Sequence, residues 1–218
     1  MKMNLASYID HTILKPQATR ADIEKLCQEA LKYKFASVCI NPKHVRYAAE
    51  LLEGSSVNVC TVIGFPLGAN KSEVKAMEAR IAMEEGAREI DMVIDIGAAK
   101  EHDFSRVKED ICKVKAEVDR NHVLKVIIET CLLTDEEKIA MCKVVTDTGA
   151  DFIKTSTGFS AAGATFADIE LFAKNVGPGV KIKAAGGIST LEDAERFVAL
   201  GASRLGTSRI IKLLKAKE

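Results

Sequence analysis

Two lysines stand at or near the ends of predicted β-strands, where a charged side chain needs a partner or a chemical task. Lys154 ends an apolar run that begins at Asp151, and Lys183 lies in the next run, Lys181–Ala185. Neighbouring parallel strands lie about 4.8 Å apart, so the two ammonium groups would point into one opening and repel each other. The pKa of one amine must then fall, and a neutral lysine can attack a carbonyl carbon to form a Schiff base. The pair predicts imine chemistry, with salt bridges near the rim as the alternative.

Imine chemistry also needs a carboxylate for proton transfer, and the fourth predicted strand offers two. Asp91 and Asp95 are four positions apart, so both would face inward if the strand stays regular to its end. Asp91 lies in an apolar run, where an unpaired carboxylate is costly, so we expect it to have a cationic partner such as the lysine pair. Asp10, at the end of the first predicted strand, is a further candidate, and a loop-ordering role is its alternative.

Three glycine-rich turns after predicted strands have the residue types of a phosphate site. Glycine lets the backbone approach an anion closely. In barrel enzymes, the loops after the seventh and eighth strands often hold phosphate on backbone amides. Each turn alone could be an ordinary tight turn, but together they predict a phosphorylated small substrate, with a hydroxyl donor from Ser208. The turns are Ser156–Phe159, Ala185–Ile188 and Gly206–Arg209, and their candidate glycines are Gly158, Gly186 and Gly187.

Eight short apolar runs alternate with longer amphipathic segments, which is typical of a parallel sheet covered by helices. Capping-box residues mark four helix starts, at Thr19, Thr134, Thr165 and Ser189. Gly-Ala joints lead from three helices into the next strand. We predict strands at Ala6–Asp10, Ala36–Ile40, Asn58–Gly64, Glu89–Asp95, Val123–Glu129, Asp151–Thr155, Lys181–Ala185 and Ser203–Gly206.

This alternation predicts a single (β/α)₈ TIM barrel that spans residues 1–218 as one domain. No linker or low-complexity tract divides the chain. An open doubly wound sheet is the alternative, but it usually has fewer strands and often carries a G-x-G-x-x-G turn after the first, which this sequence lacks. In a barrel the carboxyl ends of the strands form the active site, so Lys154, Lys183 and Asp91 would meet in one opening.

Composition narrows the classes of function. The 218 residues contain 31 Lys and Arg against 31 Asp and Glu, a formal net charge of zero that argues against a nucleic-acid partner. The amino terminus lacks the apolar run of a signal peptide, and no stretch approaches the roughly 18 to 20 apolar residues that cross a bilayer. We therefore expect a cytoplasmic protein without a membrane partner.

Cysteines and histidines give no metal-site pattern. The six cysteines are widely spaced without a C-x-x-C pair, and we interpret most of them as small core residues, with Cys39 the least certain because it lies near a strand end. The four histidines have no H-x-x-H or H-E-x-x-H spacing. The sequence therefore predicts neither a metal ion nor a disulfide framework.

Four motifs together resemble the deoxyribose-phosphate aldolase family, in its short bacterial or archaeal form. They are Ile-Asp-His-Thr-Ile-Leu-Lys-Pro around Asp10, Glu-Ile-Asp-Met-Val-Ile around Asp91, Phe-Ile-Lys-Thr-Ser-Thr-Gly-Phe around Lys154 and Ile-Lys-Ala-Ala-Gly-Gly-Ile around Lys183. The resemblance covers nearly the whole chain. It implies a TIM barrel whose lysine imine works without a metal or organic cofactor.

The resemblance also implies roles for individual residues. Lys154 matches the lysine that forms the Schiff base, and Lys183 matches the second lysine, which tunes the first and joins proton transfer. Asp91 matches the aspartate that moves protons through water. The implied reaction is reversible cleavage of 2-deoxy-D-ribose 5-phosphate to D-glyceraldehyde 3-phosphate and acetaldehyde. The matching phosphate-binding positions are Gly158, Gly186, Gly187 and Ser208, and supporting positions near the substrate are Asp10 and Cys39.

The chain departs from the family pattern at two places. Arg209 stands where some members have a second serine beside Ser208, although an arginine can itself bind phosphate. The chain also ends Leu-Leu-Lys-Ala-Lys-Glu, without the tyrosine-bearing tail of some longer members. The family often forms dimers, so we expect a homo-oligomer, either a dimer or a tetramer.

Two other functions remain open from the sequence. One is a different phosphosugar barrel, such as a metal-assisted epimerase, whose activity would depend on a divalent cation. The other is a catalytically silent barrel that only binds a phosphometabolite. The presence of Lys154, Lys183 and Asp91 together favours the aldolase.

Overall fold

Eight parallel strands in the described part of the chain close into a barrel, and each strand pairs with the next in chain order. The computed structural model describes residues 4–211. Strand β8 pairs with β1 to close the ring, so the predicted (β/α)₈ barrel is confirmed and the open sheet is excluded. The strands are β1 Ile9–Ile13, β2 Ser37–Ile40, β3 Asn58–Ile63, β4 Glu89–Val93, β5 Val123–Ile127, β6 Phe152–Lys154, β7 Lys181–Ala185 and β8 Ala202–Thr207.

Helices connect successive strands and cover the outside of the barrel. The β4–β5 connection contains two helices, one short and one long, and each of the others contains one. Short 3₁₀ turns occur at Leu5–Tyr8, Pro42–His44 and Thr130–Leu132. The helices are α1 Arg20–Tyr33, α2 Val45–Leu51, α3 Ser72–Glu84, α4 Ile96–Lys100, α5 Phe104–Glu117, α6 Asp135–Asp147, α7 Phe166–Asn175 and α8 Leu191–Ala199.

Capping boxes begin four of these helices, three of them at the predicted threonine. At α8 the cap is Thr190, one residue later than the predicted Ser189. The reason is that Asp193, three residues after Thr190, accepts a hydrogen bond from the Thr190 backbone N–H at 3.2 Å. The Ser189 hydroxyl instead accepts a hydrogen bond from Arg209 at 2.9 Å. Each box satisfies amide groups that a helix start leaves unpaired.

The predicted Gly-Ala joints are present at three helix ends. Gly86, Gly149 and Gly201 have φ angles of 108°, 69° and 115°, in the region that glycine adopts without a steric penalty. At Gly86 a side chain would also collide, because a Cβ there would lie 2.6 Å from the Cβ of Ala49. The joints therefore turn the chain sharply from a helix into the next strand.

The first strand begins later than predicted. Residues Leu5–Tyr8 form a 3₁₀ turn, and the side chain of Asn4 caps it by accepting the Ala6 N–H at 3.3 Å. Strand β1 therefore runs from Ile9 to Ile13 instead of Ala6–Asp10. Asp10 is the second residue of the strand and not its last, so its carboxylate lies deep inside the barrel, fully buried.

Apolar and charged residues alternate along strand β4. In β4 the side chains of Ile90 and Met92 belong to the main apolar core, while Glu89 and Asp91 alternate with them on the opposite face. All four side chains are buried. The charged groups of β4 therefore need partners from other strands inside the barrel, since water cannot solvate them there.

Four of the six cysteines are buried, as the sequence predicts for most of them. Cys112 on α5 is exposed, and Cys131 is half-buried. The core interpretation was wrong for Cys112 because the apolar face of α5 is formed by Val107, Ile111 and Val114, and Cys112 follows Ile111 on the opposite side.

Within residues 4–211, no helix is long and apolar enough to cross a bilayer. The sequence around Ile210–Lys215 predicts a final amphipathic helix, and its residues from Lys212 onward lie outside the described part of the chain. The same is true of the tail that lacks a tyrosine.

A buried ion pair joins helices α3 and α5. We expect Asp110→Ala, which breaks this pair, to lower the free energy of unfolding by about 3–5 kcal/mol. Lys75 Nζ on α3 lies 2.6 Å from Asp110 Oδ2 on α5, and neither side chain is more than 3% exposed. The substitution would leave the Lys75 ammonium buried without its carboxylate. Urea unfolding followed by circular dichroism measures the loss.

Glu73→Ala is the matched control, because Glu73 and Lys113 form an exposed ion pair between the same two helices. Water screens that pair, so we expect a far smaller loss. Equal losses in Asp110→Ala and Glu73→Ala would contradict the importance of burial.

Candidate active site

The carboxylate of Asp91 binds three ammonium groups inside the barrel. Its Oδ2 lies 2.7 Å from Lys154 Nζ and 2.6 Å from Lys183 Nζ, and its Oδ1 lies 2.8 Å from Lys125 Nζ. Lys154 and Lys183 are direct register partners on β6 and β7. The two lysines singled out from the sequence, Lys154 and Lys183, therefore both contact the carboxylate of Asp91, the aspartate singled out with them.

Asp10 forms a second anionic centre next to the first. Its Oδ2 lies 2.5 Å from Lys183 Nζ, and its Oδ1 lies 2.6 Å from Arg204 Nη1. The Ser37 hydroxyl donates to the same Oδ1 at 2.7 Å. Lys183 thus contacts two carboxylates, those of Asp10 and Asp91. The Asp10 carboxylate has only strand residues as these partners, so it does not order a loop.

Three further charged residues complete this network, and the sequence patterns did not single them out. Lys125 Nζ lies 2.7 Å from Glu89 Oε2, and Arg204 bonds Glu89 through both terminal nitrogens at 2.9 and 3.0 Å. A signal was present for Lys125, since a lysine in the apolar run Val123–Ile127 is as costly as Lys154 in its own run. Glu89 and Arg204 gave none, because their strand positions alone do not show that they face each other.

The predicted repulsion between two lysines is offset by the carboxylates. Burial alone would lower the pKa of Lys183, but Asp10 and Asp91 outweigh it and hold that pKa above the usual lysine range. Burial would also lower the pKa of Lys125, and Asp91 with Glu89 raises it well above that range. Lys183 therefore stays charged between its two carboxylates, and Asp91 has the cationic partners that its apolar strand predicted.

Asp91 remains ionised in this setting. Burial alone would raise its pKa, but Lys125, Lys154 and Lys183 hold the pKa well below the usual aspartate range. Asp10 and Glu89 behave in the same way, with the pKa of each lowered by nearby cations against the effect of burial. The network thus contains three carboxylates and four cationic side chains, and it becomes electrically balanced when one lysine is neutral.

Asp95 lies outside this network, contrary to the prediction that it faces inward with Asp91. Strand β4 ends at Val93, so the alternation of faces stops before Asp95. Its Oδ1 accepts the Ala98 N–H at 3.0 Å as the cap of α4, and its Oδ2 pairs with Arg106 at 2.9 Å.

A cavity of about 680 Å³ opens at the carboxyl ends of the strands. Lys154 lines it, whereas Asp91, Lys183, Asp10 and Cys39 do not and are almost completely buried. The glycine-rich turns predicted from the sequence form part of its wall. The residues of these turns that line the cavity include the predicted Gly158, Gly186, Gly187 and Ser208, together with Arg209.

The turn glycines adopt left-handed conformations that residues with a side chain rarely take. Gly158 has a φ of 85°, and Gly186 and Gly187 each have a φ of 76°. The backbone of Gly163 packs so closely on this turn that a Cβ there would lie 2.4 Å from the carbonyl carbon of Gly186. Consecutive N–H groups in such turns form concave sites for anions.

Glu129 fixes the loop that follows Lys154, a contact that the sequence did not indicate. Its buried carboxylate accepts hydrogen bonds from the Thr157 N–H at 3.2 and 3.3 Å and from the Thr157 hydroxyl. Glu129 itself has a φ of 55°, which is uncommon for a residue with a side chain. The loop at Thr157 is therefore held from the neighbouring β5–α6 connection.

Comparison with known proteins gives consistent matches over nearly the whole chain. A family model described as DeoC/LacD family aldolase matches residues 4–207. A deoxyribose-phosphate aldolase of Clostridium perfringens is 56% identical over 216 residues, covering 99% of this chain and 96% of that protein. One of Bacillus cereus is 55% identical over 212 residues, covering 97% and 95%.

Solved structures agree with the sequence matches. A tetrameric deoxyribose phosphate aldolase from Aeropyrum pernix matches with a TM-score of 0.89 and 34% identity, covering 98% of this chain and 92% of that one. These similarities agree with the resemblance of the four sequence motifs. The protein is an aldolase, a lyase, and the chain belongs to the DeoC/LacD family.

Proposed function

We propose that this aldolase reversibly cleaves 2-deoxy-D-ribose 5-phosphate to D-glyceraldehyde 3-phosphate and acetaldehyde through a Schiff base on Lys154. The observation that carries the proposal is the position of the Lys154 amine, which lines the cavity while it shares the Asp91 carboxylate with Lys183. The names of the curated relatives support this substrate.

Lys154 is the best candidate nucleophile among the three lysines of the network. Lys125 and Lys183 each contact two carboxylates and are fully buried. Lys154 contacts Asp91 alone, is 3% exposed at its side chain and reaches the cavity. The Lys154 ammonium group therefore contacts fewer carboxylates than the other two. Removal of its proton leaves the positive and negative charges of the network equal in number.

The reaction follows from this arrangement. The neutral Lys154 amine attacks C1 of the open-chain sugar to give a carbinolamine, and protonation of its hydroxyl group with loss of water gives a protonated imine. Removal of the proton from the C3 hydroxyl lets the C2–C3 bond break, with its electron pair moving into the imine to form an enamine and release glyceraldehyde 3-phosphate. Protonation of C2 and hydrolysis then release acetaldehyde and the free amine. We assign these proton transfers to Asp91 and Lys183 acting through water.

The cavity wall supplies a site for the substrate phosphate. Backbone N–H groups at Gly158 and Gly187 would bind its oxygens, and Ser208 and Arg209 would add a hydroxyl and a guanidinium. Gly186 would shape the turn, because its own N–H donates to the Gly206 carbonyl at 3.3 Å. Asp10 and Cys39 would act beneath the cavity as supporting residues and not as phosphate ligands, because neither lines it.

We expect Arg209→Met to raise the KM for 2-deoxy-D-ribose 5-phosphate by about tenfold, because it removes a charge-assisted hydrogen bond to the phosphate. The KM for unphosphorylated 2-deoxy-D-ribose should not change. Steady-state assays with both sugars measure the difference. Lys181→Met is the matched control. Lys181 carries the same charge but lies at the amino-terminal end of β7 and does not line the cavity. Equal changes for both sugars would contradict a phosphate role for Arg209.

The experiment that tests the function is direct incubation with 2-deoxy-D-ribose 5-phosphate, with both products quantified, in the presence and absence of a chelator. We expect equal yields of glyceraldehyde 3-phosphate and acetaldehyde that a chelator does not reduce. Activity that needs a divalent cation would favour the metal-assisted epimerase class. Binding of the sugar phosphate without turnover would favour the silent barrel.

We also infer that residues 1–218 act as one domain and that the chain forms a homo-oligomer. The tetrameric relative supports an assembly. Helix α3 presents three apolar side chains, Val74, Met77 and Ile81, each 46% exposed and on one helical face, which would suit contact with a second copy. Light scattering of the purified protein tests the prediction, and a monomer at micromolar concentration would contradict it. The cytoplasmic location stays a prediction.

A further inference from the structure

Two cysteines lie side by side next to Asp91, and the proposed mechanism uses neither thiol. Cys39 on β2 and Cys60 on β3 are register partners on adjacent strands. Their Sγ atoms lie within 4.8 Å of each other and of a carboxylate oxygen of Asp91. Adjacent strands are about 4.8 Å apart, which falls within the range of Cα separations that a disulfide spans.

The surroundings of the pair favour the thiolate form of Cys39 and the protonated thiol form of Cys60. Interaction with the Cys60 thiol lowers the pKa of Cys39, and the cation of Lys183 adds to this against the effect of burial. Burial raises the pKa of Cys60 well above its usual range. Cys39 is therefore the more nucleophilic partner, because the thiolate is the reactive form.

The two thiols belong to a small apolar cluster that extends to the substrate cavity. Cys39 and Cys60 pack with Leu14, Val62 and Phe65 in a small cluster of their own. Leu14 also lines the cavity and is 8% exposed. A small neutral oxidant that enters the cavity therefore contacts the edge of the cluster that contains both thiols.

We propose that Cys39 and Cys60 form a peroxide-sensitive dithiol, and that their oxidation to a disulfide switches the enzyme off. In the first step the Cys39 thiolate attacks one oxygen of hydrogen peroxide, the O–O bond breaks, and hydroxide leaves with a sulfenic acid on Cys39. In the second, the Cys60 sulfur attacks that sulfenic sulfur, and the hydroxyl group leaves as water with the Cys60 proton. The sum is two thiols and one peroxide giving one disulfide and two waters, and an external dithiol reverses it.

The disulfide would disturb Asp91 directly. In the reduced protein the Cys60 thiol donates to Asp91 Oδ1 at 3.2 Å and accepts from Lys125 Nζ at 3.3 Å. Bond formation removes the thiol proton and draws both sulfurs to about 2.05 Å. Asp91 then loses a donor on the oxygen that also binds Lys125, so the loss of activity rests on the proposed proton-transfer role of Asp91.

A metal ion is the less favourable occupant of the same three side chains. Asp91 already binds three ammonium groups, so a divalent cation would enter a region with an excess of positive charge. A disulfide is neutral and needs no such compensation.

The test is to titrate the purified protein with hydrogen peroxide, and to measure aldolase activity and, by non-reducing peptide mass mapping, the linked peptides. We expect a Cys39–Cys60 linkage whose yield parallels at least a tenfold loss of activity, with recovery in dithiothreitol. Absence of that linkage at full activity loss would overturn the proposal. Because the linkage is detected by mass, its result is independent of whether Lys154 and Asp91 act as proposed.

Variants separate this pair from other thiols. Cys60→Ser should retain activity in peroxide for longer than the wild type, because Cys39 has lost its resolving partner for disulfide formation. Cys112→Ser removes an exposed thiol on α5 and should behave like the wild type. Protection by Cys112→Ser and not by Cys60→Ser would overturn the proposal. If Cys60→Ser does not fold, the wild-type mass mapping still decides.

Discussion

Replacing Lys154 by methionine is expected to lower kcat for aldol cleavage by about 10⁴-fold or more, as loss of a covalent nucleophile does in other enzymes. Methionine keeps most of the length of the side chain but has no amine to form the imine. The stability should change little, because Asp91, the one carboxylate that Lys154 contacts, keeps its ion pairs with Lys125 and Lys183. Steady-state cleavage assays and urea unfolding measure the two effects.

Lys183→Met is the comparison for that variant. Lys183 bridges Asp10 and Asp91, so its removal leaves two buried carboxylates with fewer cations. We expect Lys183→Met to lose several kcal/mol of stability, in the range of about 3–5 kcal/mol for broken buried pairs. A Lys154→Met protein that retains cleavage within tenfold of wild type would contradict Lys154 as the nucleophile.

Asp91→Asn is the second substitution with a large expected effect, and we expect kcat to fall by about 10²–10⁴-fold. The amide cannot accept and return a proton as the carboxylate does. It also leaves Lys125, Lys154 and Lys183 without the negative charge that all three share, so the free energy of unfolding should fall by about 3–5 kcal/mol.

A readout specific to proton transfer separates the two effects in Asp91→Asn. Exchange of the methyl protons of acetaldehyde in deuterated water reports enamine formation, and we expect Asp91→Asn to slow it strongly. Glu89→Gln is the matched control, because Glu89 is equally buried in the same network but does not contact Lys154 or Lys183. It should lose stability with a far smaller effect on exchange. Equal exchange rates in the two variants would contradict the role proposed for Asp91.

The barrel could be predicted because its signals are local. Eight apolar runs, threonine caps and Gly-Ala joints each depend on a few neighbouring residues, and nearly all recur in the structure. The errors lie at element boundaries. A 3₁₀ turn capped by Asn4 occupies the predicted start of β1. Strand β4 ends at Val93, so Asp95 lies beyond it and caps helix α4.

Some residues of the charged site could be predicted from the sequence, whereas others could not because their contacts depend on the closed barrel. Lys154, Lys183 and Asp91 stand out because charges in apolar strands are costly. Arg204 bonds Asp10 and Glu89 across 194 and 115 positions of sequence, and only closure of the barrel from β8 to β1 sets those distances. The compensation that keeps Lys183 charged therefore could not be inferred from strand positions alone.

Trapping with borohydride tests most directly whether Lys154 forms the imine. The protein is incubated with acetaldehyde and sodium borohydride, and the modified peptide is mapped by mass spectrometry. Lys154→Arg serves as the control, with its positive charge retained and its primary amine removed. We predict an ethyl group on the Lys154 amine of the wild type and no adduct on any lysine of the control. An unmodified Lys154 under conditions of full activity, or an ethyl group on Lys183 or Lys125 instead, would contradict it.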